Sequence, residues 1–222
     1  MTLPRQVRAV VFDMDGLLVD TEQVVFRAMQ AAAAGIGGEI PFPVFQRMLG
    51  LQHAASDLIL VEHFGKDLDL EGWSAAVSHH FQAELALAGI ALKGGVVEIL
   101  NHLDAVGLPR AIATSSSRQA VEQSLGPYGL VGRFDAVISR ELQTRGKPHP
   151  EPFLKAAEAL GVDPADCLAL EDSHNGVRAA HAAGMMTIMV PDMLDPTEEM
   201  HEMCLRIASD LHEVRELLEA QA

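Results

Sequence analysis

Five short apolar runs, separated by segments with helical periodicity, constrain the fold more than any other feature of this sequence. The runs cover residues 9–12, 111–113, 136–138, 168–170 and 187–190. Each is bounded by glycine, proline or polar residues, and each is apolar at consecutive positions, which is typical of strands buried on both faces. Helices that connect parallel strands form right-handed crossovers. The pattern therefore predicts an α/β fold with a doubly wound, Rossmann-like parallel sheet.

The segments between these runs have the spacing of amphipathic helices. Helices are predicted over residues 96–106, 119–125, 152–160 and 177–183. Gly107, Gly161 and Gly184 stand near their ends, where glycine commonly terminates a helix. The last stretch, residues 197–222, is also amphipathic, so we expect it to be helical and to pack on the sheet.

One interval interrupts the alternation of strands and helices. Between the first two strands the sequence has only helical segments, at residues 22–34, 43–49, 54–64 and 71–88. Their connectors are rich in glycine and proline, which suits a small helical bundle. We therefore expect two domains: an α/β catalytic core of residues 1–20 and 90–222, and a helical cap domain of residues 21–89 that closes over it.

The charge balance excludes several classes of partner. Sixteen Lys and Arg residues against 31 Asp and Glu residues give a formal net charge of −15. Such a charge repels nucleic acid and anionic membrane surfaces, and the sequence has no basic patch. Two cysteines are too few for a disulfide framework, and no apolar run is long enough to cross a membrane. We expect a cytoplasmic protein, a monomer or weak homo-oligomer, that binds neither nucleic acid nor membranes.

Polar side chains follow four of the five predicted strands. In an open parallel sheet, ligands bind outside the carboxyl ends of the strands, near the point where the strand order reverses. The side chains expected at this edge are Asp13, Asp15, Thr114, Ser115, Lys147, Glu171 and Asp172. The sequence therefore predicts one site that combines four carboxylates, hydroxyl groups and a lysine.

Four clustered carboxylates need a compensating cation. Each pair repels by about 4 kcal/mol at close range in an effective dielectric of 20, and a hard divalent ion with oxygen ligands points to Mg²⁺. A phosphate dianion could then bind between the ion and Lys147, cradled by the Thr114 hydroxyl and by backbone N–H groups at Ser115 and residues 14–16. One carboxylate would attack phosphorus, and its neighbour two residues on would handle the leaving-group proton.

Each of these signals has a simpler explanation when it is taken alone. Asp-x-Asp-Gly is an ordinary turn sequence, the serines at 115–117 and the acidic pair at 171–172 could cap helices, and a lone lysine is usually a surface residue. The four signals together, in order after four strands, favour a catalytic site. A phosphoacceptor module similar to a response-regulator receiver and a binder without catalysis stay open as alternatives.

The chain resembles the haloacid dehalogenase superfamily, in the branch similar to β-phosphoglucomutase and phosphoglycolate phosphatase. Four stretches carry the resemblance in the family's order: FDMDG at 12–16, IATS at 112–115, KPHPEPF at 147–153 and LEDS at 170–173. The helical insertion also stands where this branch has its cap domain. The resemblance covers essentially the whole chain.

The resemblance implies a role for each residue of the site. Asp13 would be the nucleophile that forms an aspartyl-phosphate, and Asp15 the general acid and then base. Thr114 and Lys147 would bind phosphate. The cofactor Mg²⁺ would be held by Asp13, the Asp15 carbonyl and Asp172, with Glu171 beside it.

The insertion departs from the mutases of this branch. Residues 21–89 contain only Arg27, Arg47 and Lys66 as permanent cations, whereas a mutase must hold a bisphosphate. Val25, Leu49 and His53 stand where such mutases are expected to have histidine, lysine and arginine. We therefore expect a phosphatase that acts on small sugar, polyol or glycolyl phosphates, with a β-phosphoglucomutase-type activity as the alternative.

The leaving group of that substrate should contact both domains. The candidate substrate-binding residues are Arg47, Gln52 and His53 in the insertion, and Ser116 and Arg118 in the core.

Overall fold

A computed structural model describes residues 3–49, 51 and 53–221, without the side chains of His53 and Ala54. Within these residues the chain forms six strands: β1 (Ala9–Phe12), β2 (Arg110–Ala113), β3 (Ala136–Ile138), β4 (Cys167–Glu171), β5 (Met186–Met189) and β6 (Arg206–Ile207). The helices are α1 (Thr21–Gly35), α2 (Phe42–Gln46), α3 (His53–Phe64), α4 (Leu70–Ala88), α5 (Val96–Val106), α6 (Arg118–Leu125), α7 (Glu151–Leu160), α8 (His174–Ala182), α9 (Glu198–Met203) and α10 (Leu211–Glu219).

The six strands form one parallel sheet in the order β3-β2-β1-β4-β5-β6. The predicted doubly wound α/β fold is therefore confirmed, and all five predicted strands are present with ends shifted by at most a few residues. The chain moves outward from β1 to β3 and then returns to the other side of β1 at β4. The strand order reverses between β1 and β4, which is where such sheets bind ligands.

The sheet is buried on both faces, as the uninterrupted apolar runs predict. All residues of β1, β2, β4 and β5 are buried. Alternate strand residues, such as Ala9, Val11 and Ala169, form one core with Phe153 of α7 and Ala180 of α8. Small side chains on the strands let these two helices pack close to the sheet, so they fix the loops that lead into them.

The prediction for residues 197–222 is wrong in one respect, because β6 interrupts the helix. Leu205 and Ala208 donate backbone hydrogen bonds to Thr187 and Met189 of β5, and both bonds are 2.8 Å long. A new helix then begins after Asp210, whose side chain accepts a hydrogen bond from the Glu213 amide. A strand of two residues is too short to disturb an amphipathic pattern, although the Ser209-Asp210 capping signal marks the break.

The chain divides into two compact units. One consists of Met1–Val19 and Leu92–Ala222 and contains the sheet, and the other is Asp20–Ala91. The second unit is entirely helical among its described residues, with α1 packed on α4. The four helices predicted for this region are present, although α2 ends three residues before its expected end.

None of the described helices is both long and apolar enough to cross a membrane.

Candidate active site

The chain leaves β1 through a tight turn that carries the two aspartates. The Asp13 amide donates to the Leu170 carbonyl at the end of β4, over 2.9 Å, which fixes the start of the turn. Gly16 has a φ of +83°, and a Cβ built at this position would lie 2.2 Å from Oδ2 of Asp172. Only glycine fits both conditions, so the backbone of the turn approaches the Asp172 carboxylate closely.

Lys147 joins the ends of β1 and β4. Its ammonium donates to Oδ1 of Asp13 and to Oε1 of Glu171. The three side chains are nearly excluded from solvent, with 7% of Lys147, 9% of Asp13 and none of Glu171 exposed. The ammonium also lies 5.2 Å from the centre of the Phe153 ring, within the range of a cation–π contact. Lys147 is therefore a buried, multiply held charge and not a surface lysine.

The loop that carries Lys147 is held by Glu151 and Gln143, for which the sequence predicts no role. Glu151, the first residue of α7, accepts hydrogen bonds from the Thr144 and Arg145 amides at 2.7 and 2.9 Å. The Gln143 side chain donates to the Thr114 carbonyl over 2.7 Å. An acidic residue at the start of a helix was a usable signal for Glu151. Gln143 contacts a segment that is distant in the sequence, so no local pattern indicates this hydrogen bond.

Glu171 is fixed through both of its carboxylate oxygens. Lys147 bonds to Oε1, while Oε2 accepts from the amides of Asp172 and Ser173 and from the Ser173 hydroxyl, at 3.0 to 3.1 Å. The Ser173 hydroxyl also caps α8 by accepting from the Gly176 amide. Because protein donors occupy both oxygens, Glu171 is better suited to stand beside a cation than to coordinate it.

Three of the four predicted metal ligands form an acidic cluster. One carboxylate oxygen from each of Asp13, Glu171 and Asp172 lies within 4.8 Å of the other two, and all three residues are buried. Oδ2 of Asp15 instead accepts hydrogen bonds from hydroxyl groups, and the backbone carbonyl of Asp15 stays the metal ligand that the family resemblance implies. All of these ligands are oxygen atoms, and the cluster has more negative charge than Lys147 offsets. Both properties suit a hard divalent cation such as Mg²⁺.

The pKa values of the buried pair reflect burial first and neighbouring charges second. Burial, together with the Glu171 and Asp15 carboxylates, raises the pKa of Asp13 to about 8 against the lowering effect of Lys147. Burial alone would lower the pKa of Lys147, but Asp13 and Glu171 raise it above its ordinary value, so the ammonium stays charged. A bound divalent cation would favour the ionised form of Asp13.

Hydroxyl groups after β2 face the same edge and hold Asp15. Oδ2 of Asp15 accepts from the Ser116 hydroxyl at 2.7 Å and from the Thr114 hydroxyl at 3.2 Å. Thr114 is fully buried, and its hydroxyl accepts from the Ser116 amide. Ser115 is exposed in the turn, and Ser117 rather than Ser115 caps α6 by accepting from the Ala120 amide.

The predicted contacts to a leaving group are less clearly placed. Arg47 is paired with Glu62 at 2.5 Å, and Arg118 with Glu122 at 2.7 Å, and both arginines are about half exposed. Gln52 lies outside the described residues, as does the side chain of His53. Their roles as substrate contacts stay predictions.

The geometry of this edge suits phosphoryl chemistry. A buried acidic cluster, a charged ammonium and a hydroxyl-held carboxylate lie at the carboxyl ends of β1, β2 and β4. The cluster can hold a divalent cation, the ammonium can bind an anion, and the two aspartates offer a nucleophile and a proton donor on one short turn.

Comparisons with known proteins agree with this interpretation. A family model described as haloacid dehalogenase-like hydrolase matches residues 7–184. A Drosophila melanogaster protein named "Probable pseudouridine-5′-phosphatase" is 37% identical over 194 residues, which cover 85% of this chain and 83% of that protein. Hexitol phosphatase B of Escherichia coli K12 is 34% identical over 199 residues, 86% of each chain. A crystal structure of a Deinococcus radiodurans family hydrolase with bound phosphate and sodium superimposes with a TM-score of 0.81 at 27% identity, covering 97% of this chain and 96% of that one.

Proposed function

The chain belongs to the haloacid dehalogenase-like hydrolases, and from that premise we propose that it is a magnesium-dependent phosphatase of small phosphate monoesters that acts through an aspartyl-phosphate. One observation carries the proposal: the Lys147 ammonium bridges Asp13 and Glu171 at the point where the strand order reverses. A binding site without chemistry would not need a carboxylate and an ammonium buried together at this edge, because removing both from water is costly.

Asp13 and Asp15 divide the chemistry between them. A carboxylate oxygen of Asp13 attacks phosphorus, the ester P–O bond breaks, and the leaving oxygen takes the proton of Asp15. Asp15 then takes a proton from water as that water attacks phosphorus, and the bond to Asp13 breaks to release inorganic phosphate. Two easier displacements replace one difficult step.

The remaining residues neutralise and position the phosphoryl group. Lys147 and the backbone amide of Ser115 donate to its oxygens, and so does the Thr114 hydroxyl, whose single proton turns from Oδ2 of Asp15 to the phosphoryl group when substrate binds. The Asp13 and Asp172 carboxylates and the Asp15 carbonyl would hold Mg²⁺, and Glu171 would orient Lys147 beside it. When bound, Mg²⁺ supplies positive charge that offsets the charge on the transferring group.

The charges of the helical unit favour a substrate with one phosphate. Arg27 pairs with Glu84 at 2.8 Å and Arg47 pairs with Glu62, so two of the three permanent cations of residues 21–89 already have acidic partners. The third, Lys66, is exposed. A second phosphate is held best by several convergent donors, such as a bidentate arginine, and a single exposed lysine does not supply them. We therefore favour a sugar, polyol or glycolyl monophosphate over the bisphosphate intermediate of a mutase, with Arg47, Gln52, His53, Ser116 and Arg118 as candidate contacts to the leaving group.

We also expect a cytoplasmic enzyme that is a monomer or a weak homo-oligomer. Cys167 and Cys204 are both free thiols, which suits a reducing compartment.

The test is hydrolysis of p-nitrophenyl phosphate and a panel of sugar, polyol and glycolyl phosphates by the purified protein with Mg²⁺. We expect turnover that stops with EDTA and with Asp13→Asn, while the thermal stability of that variant in EDTA equals or exceeds that of the wild type. Acid-quenched reactions should contain a phosphorylated peptide that includes Asp13. A substrate with kcat/KM above about 10⁴ M⁻¹s⁻¹ would identify the physiological class.

Three results would contradict the proposal. Full activity in Asp13→Asn would show that Asp13 is not the nucleophile. Rapid conversion of β-glucose 1-phosphate to the 6-phosphate would identify a mutase. A phosphoprotein that persists for minutes without turnover would identify a phosphoacceptor module.

A further inference from the structure

A partly buried ion pair lies beside the acidic cluster, formed by residues 99 positions apart in the sequence. The Lys93 ammonium donates to Oδ1 of Asp192 over 2.6 Å. Asp192 is in the loop after β5, and the Lys93 amide is bonded to the Leu18 carbonyl at the end of the turn that carries Asp13 and Asp15. The side chains are 11% exposed for Asp192 and 28% for Lys93.

The other oxygen of Asp192 is directed toward the cluster. Oδ2 is buried and has no hydrogen-bond donor among the residues that the structure describes. A Cβ built on Gly16 would lie 3.4 Å from this oxygen and 2.2 Å from Oδ2 of Asp172, so the two carboxylates approach the turn at the same position. A buried acceptor without a donor is costly, and a like charge nearby adds to the cost.

We infer that Asp192 is a positioning residue for the cation site, in which Oδ2 accepts hydrogen bonds from water bound to the cation while Lys93 holds Oδ1. The inference rests on the magnesium site of the proposed function. Mg²⁺ usually keeps several of its waters, and these waters are strong donors for carboxylates outside the coordination shell. Such a water would satisfy Oδ2 of Asp192, which has no donor in the described part of the chain.

Lys93 explains why an additional carboxylate is tolerated there. Asp13, Glu171 and Asp172 already give the cluster more negative charge than Lys147 offsets. An unpaired Asp192 would increase the repulsion within the cluster before a cation binds. The Lys93 ammonium offsets this charge and fixes the carboxylate plane, so Oδ2 faces Gly16.

A different role makes a different prediction. If the pair only anchors the loop after β5, Asp192→Asn and Lys93→Met should lower thermal stability alike, and neither should change the affinity for Mg²⁺. If Asp192 acts on the cation, the two variants should change the affinity for Mg²⁺ in opposite directions. Asp192→Asn removes a negative charge from the cation's surroundings, whereas Lys93→Met removes a positive one.

The experiment is calorimetric titration of Mg²⁺ alone into the intact protein, with thermal melts in EDTA and in excess Mg²⁺. We expect the Kd for Mg²⁺ to rise about tenfold in Asp192→Asn, the typical loss when an outer-shell partner is removed. In Lys93→Met, we expect Mg²⁺ to raise the melting temperature by more than it does in the wild type. The matched control is Asp195→Asn, an exposed aspartate in the same loop, whose Kd should equal that of the wild type.

Two results separate this inference from the proposed function. An unchanged Kd in Asp192→Asn, or an Mg²⁺-dependent shift in Lys93→Met no larger than that of the wild type, overturns the role of Asp192 alone. Failure of the wild type to bind Mg²⁺ overturns the metal site and the inference together. If Asp192→Asn does not fold, the Lys93→Met melts still decide between the two roles.

Discussion

The Ser116 hydroxyl donates a 2.7 Å hydrogen bond to Oδ2 of Asp15. The sequence predicts Ser116 as a contact to the substrate, but in the structure its hydroxyl is engaged with the proposed proton donor. The Thr114 hydroxyl reaches the same oxygen at 3.2 Å. Two hydroxyl groups therefore hold the Asp15 carboxylate in one orientation.

Ser116→Ala should slow proton transfer more than it weakens binding. We expect kcat to fall about tenfold for an alkyl phosphate, because misplacing a general acid forfeits part of its contribution. For p-nitrophenyl phosphate the loss in the first step should be much smaller, since nitrophenolate leaves without a proton, although the later attack of water still uses Asp15 as base. The measurements are kcat and KM for the alkyl phosphate and the rate of the initial burst of nitrophenolate for p-nitrophenyl phosphate.

Ser117→Ala is the control for that variant. Ser117 caps α6, so its loss should cost about 1 kcal/mol of stability and leave kcat unchanged. A rise in KM at constant kcat in Ser116→Ala would assign Ser116 to the substrate instead.

Gly176→Ala should disrupt the site although alanine favours helices. A Cβ at Gly176 would lie 1.8 Å from Oε1 of Glu171, and that carboxylate is held by Lys147 and Ser173. Forcing it aside should cost about 1–3 kcal/mol and most of the activity. Thermal melts and phosphatase assays measure both effects.

Gly35→Ala is the matched control. Gly35 is the last residue of α1, is not followed by proline, and a Cβ there would have nothing within 4 Å. We expect this variant to gain about 0.4–1 kcal/mol and to keep full activity. Equal stability of the two variants would show that the Glu171 carboxylate can move without a loss of stability.

Most of the fold could be predicted because consecutive apolar residues in parallel strands are a local signal. The strands β1 to β5 have it, and the glycines after α5 and α7 mark where those helices end. The strand β6 lacks this run of apolar residues, because its two residues lie at the edge of the sheet and pair with β5 through the backbone. A pairing between distant segments leaves no periodicity in either of them.

The site could be predicted as far as its residues directly follow strands. Asp13 and Thr114 directly follow β1 and β2, Glu171 is the last residue of β4, and the rule for parallel sheets places them together. The direction of each side chain could not be predicted: the sequence places four carboxylates together, whereas Oδ2 of Asp15 accepts hydrogen bonds from the Thr114 and Ser116 hydroxyls. The Asp15 carbonyl as a metal ligand stays a prediction. The pair of Lys93 and Asp192 could not be predicted, because each residue is an ordinary loop residue in its own segment.

The ionisation of Asp13 should make stability depend on pH when no cation is bound. In the unfolded chain Asp13 has an ordinary pKa of 3.8, whereas burial raises its pKa to about 8 in the folded protein. The folded state therefore holds this proton more tightly, and stability from this group falls as pH rises from about 4 to about 8. Asp13→Asn cannot lose a proton.

In EDTA, the melting temperature of Asp13→Asn minus that of the wild type should therefore increase as pH rises from about 4 to about 8. Above that pH the difference should stay constant. Saturating Mg²⁺ should remove the trend, because the cation favours the ionised carboxylate. A constant difference between the two proteins at all pH values in EDTA would contradict the raised pKa of Asp13.

Glu151 should control the position of Lys147 from outside the site. The Lys155 ammonium and the amides of Thr144 and Arg145 lower the pKa of Glu151 to about 2. Its contribution to stability is present above the ordinary pKa of 4.5 and is lost as pH falls through about 2. Glu151→Gln should loosen the loop that carries Lys147 and reduce kcat/KM about tenfold.

The matched control for this prediction is Glu158→Gln, an exposed residue of the same helix, which should keep the kcat/KM of the wild type. Acid unfolding supplies the second measurement, because the stability difference between the wild type and Glu151→Gln should shrink as pH falls from 4.5 toward about 2. If Glu151→Gln kept full activity but lost stability, Glu151 would only anchor α7. Lys147 would then owe its position to Asp13, Glu171 and the Phe153 ring alone.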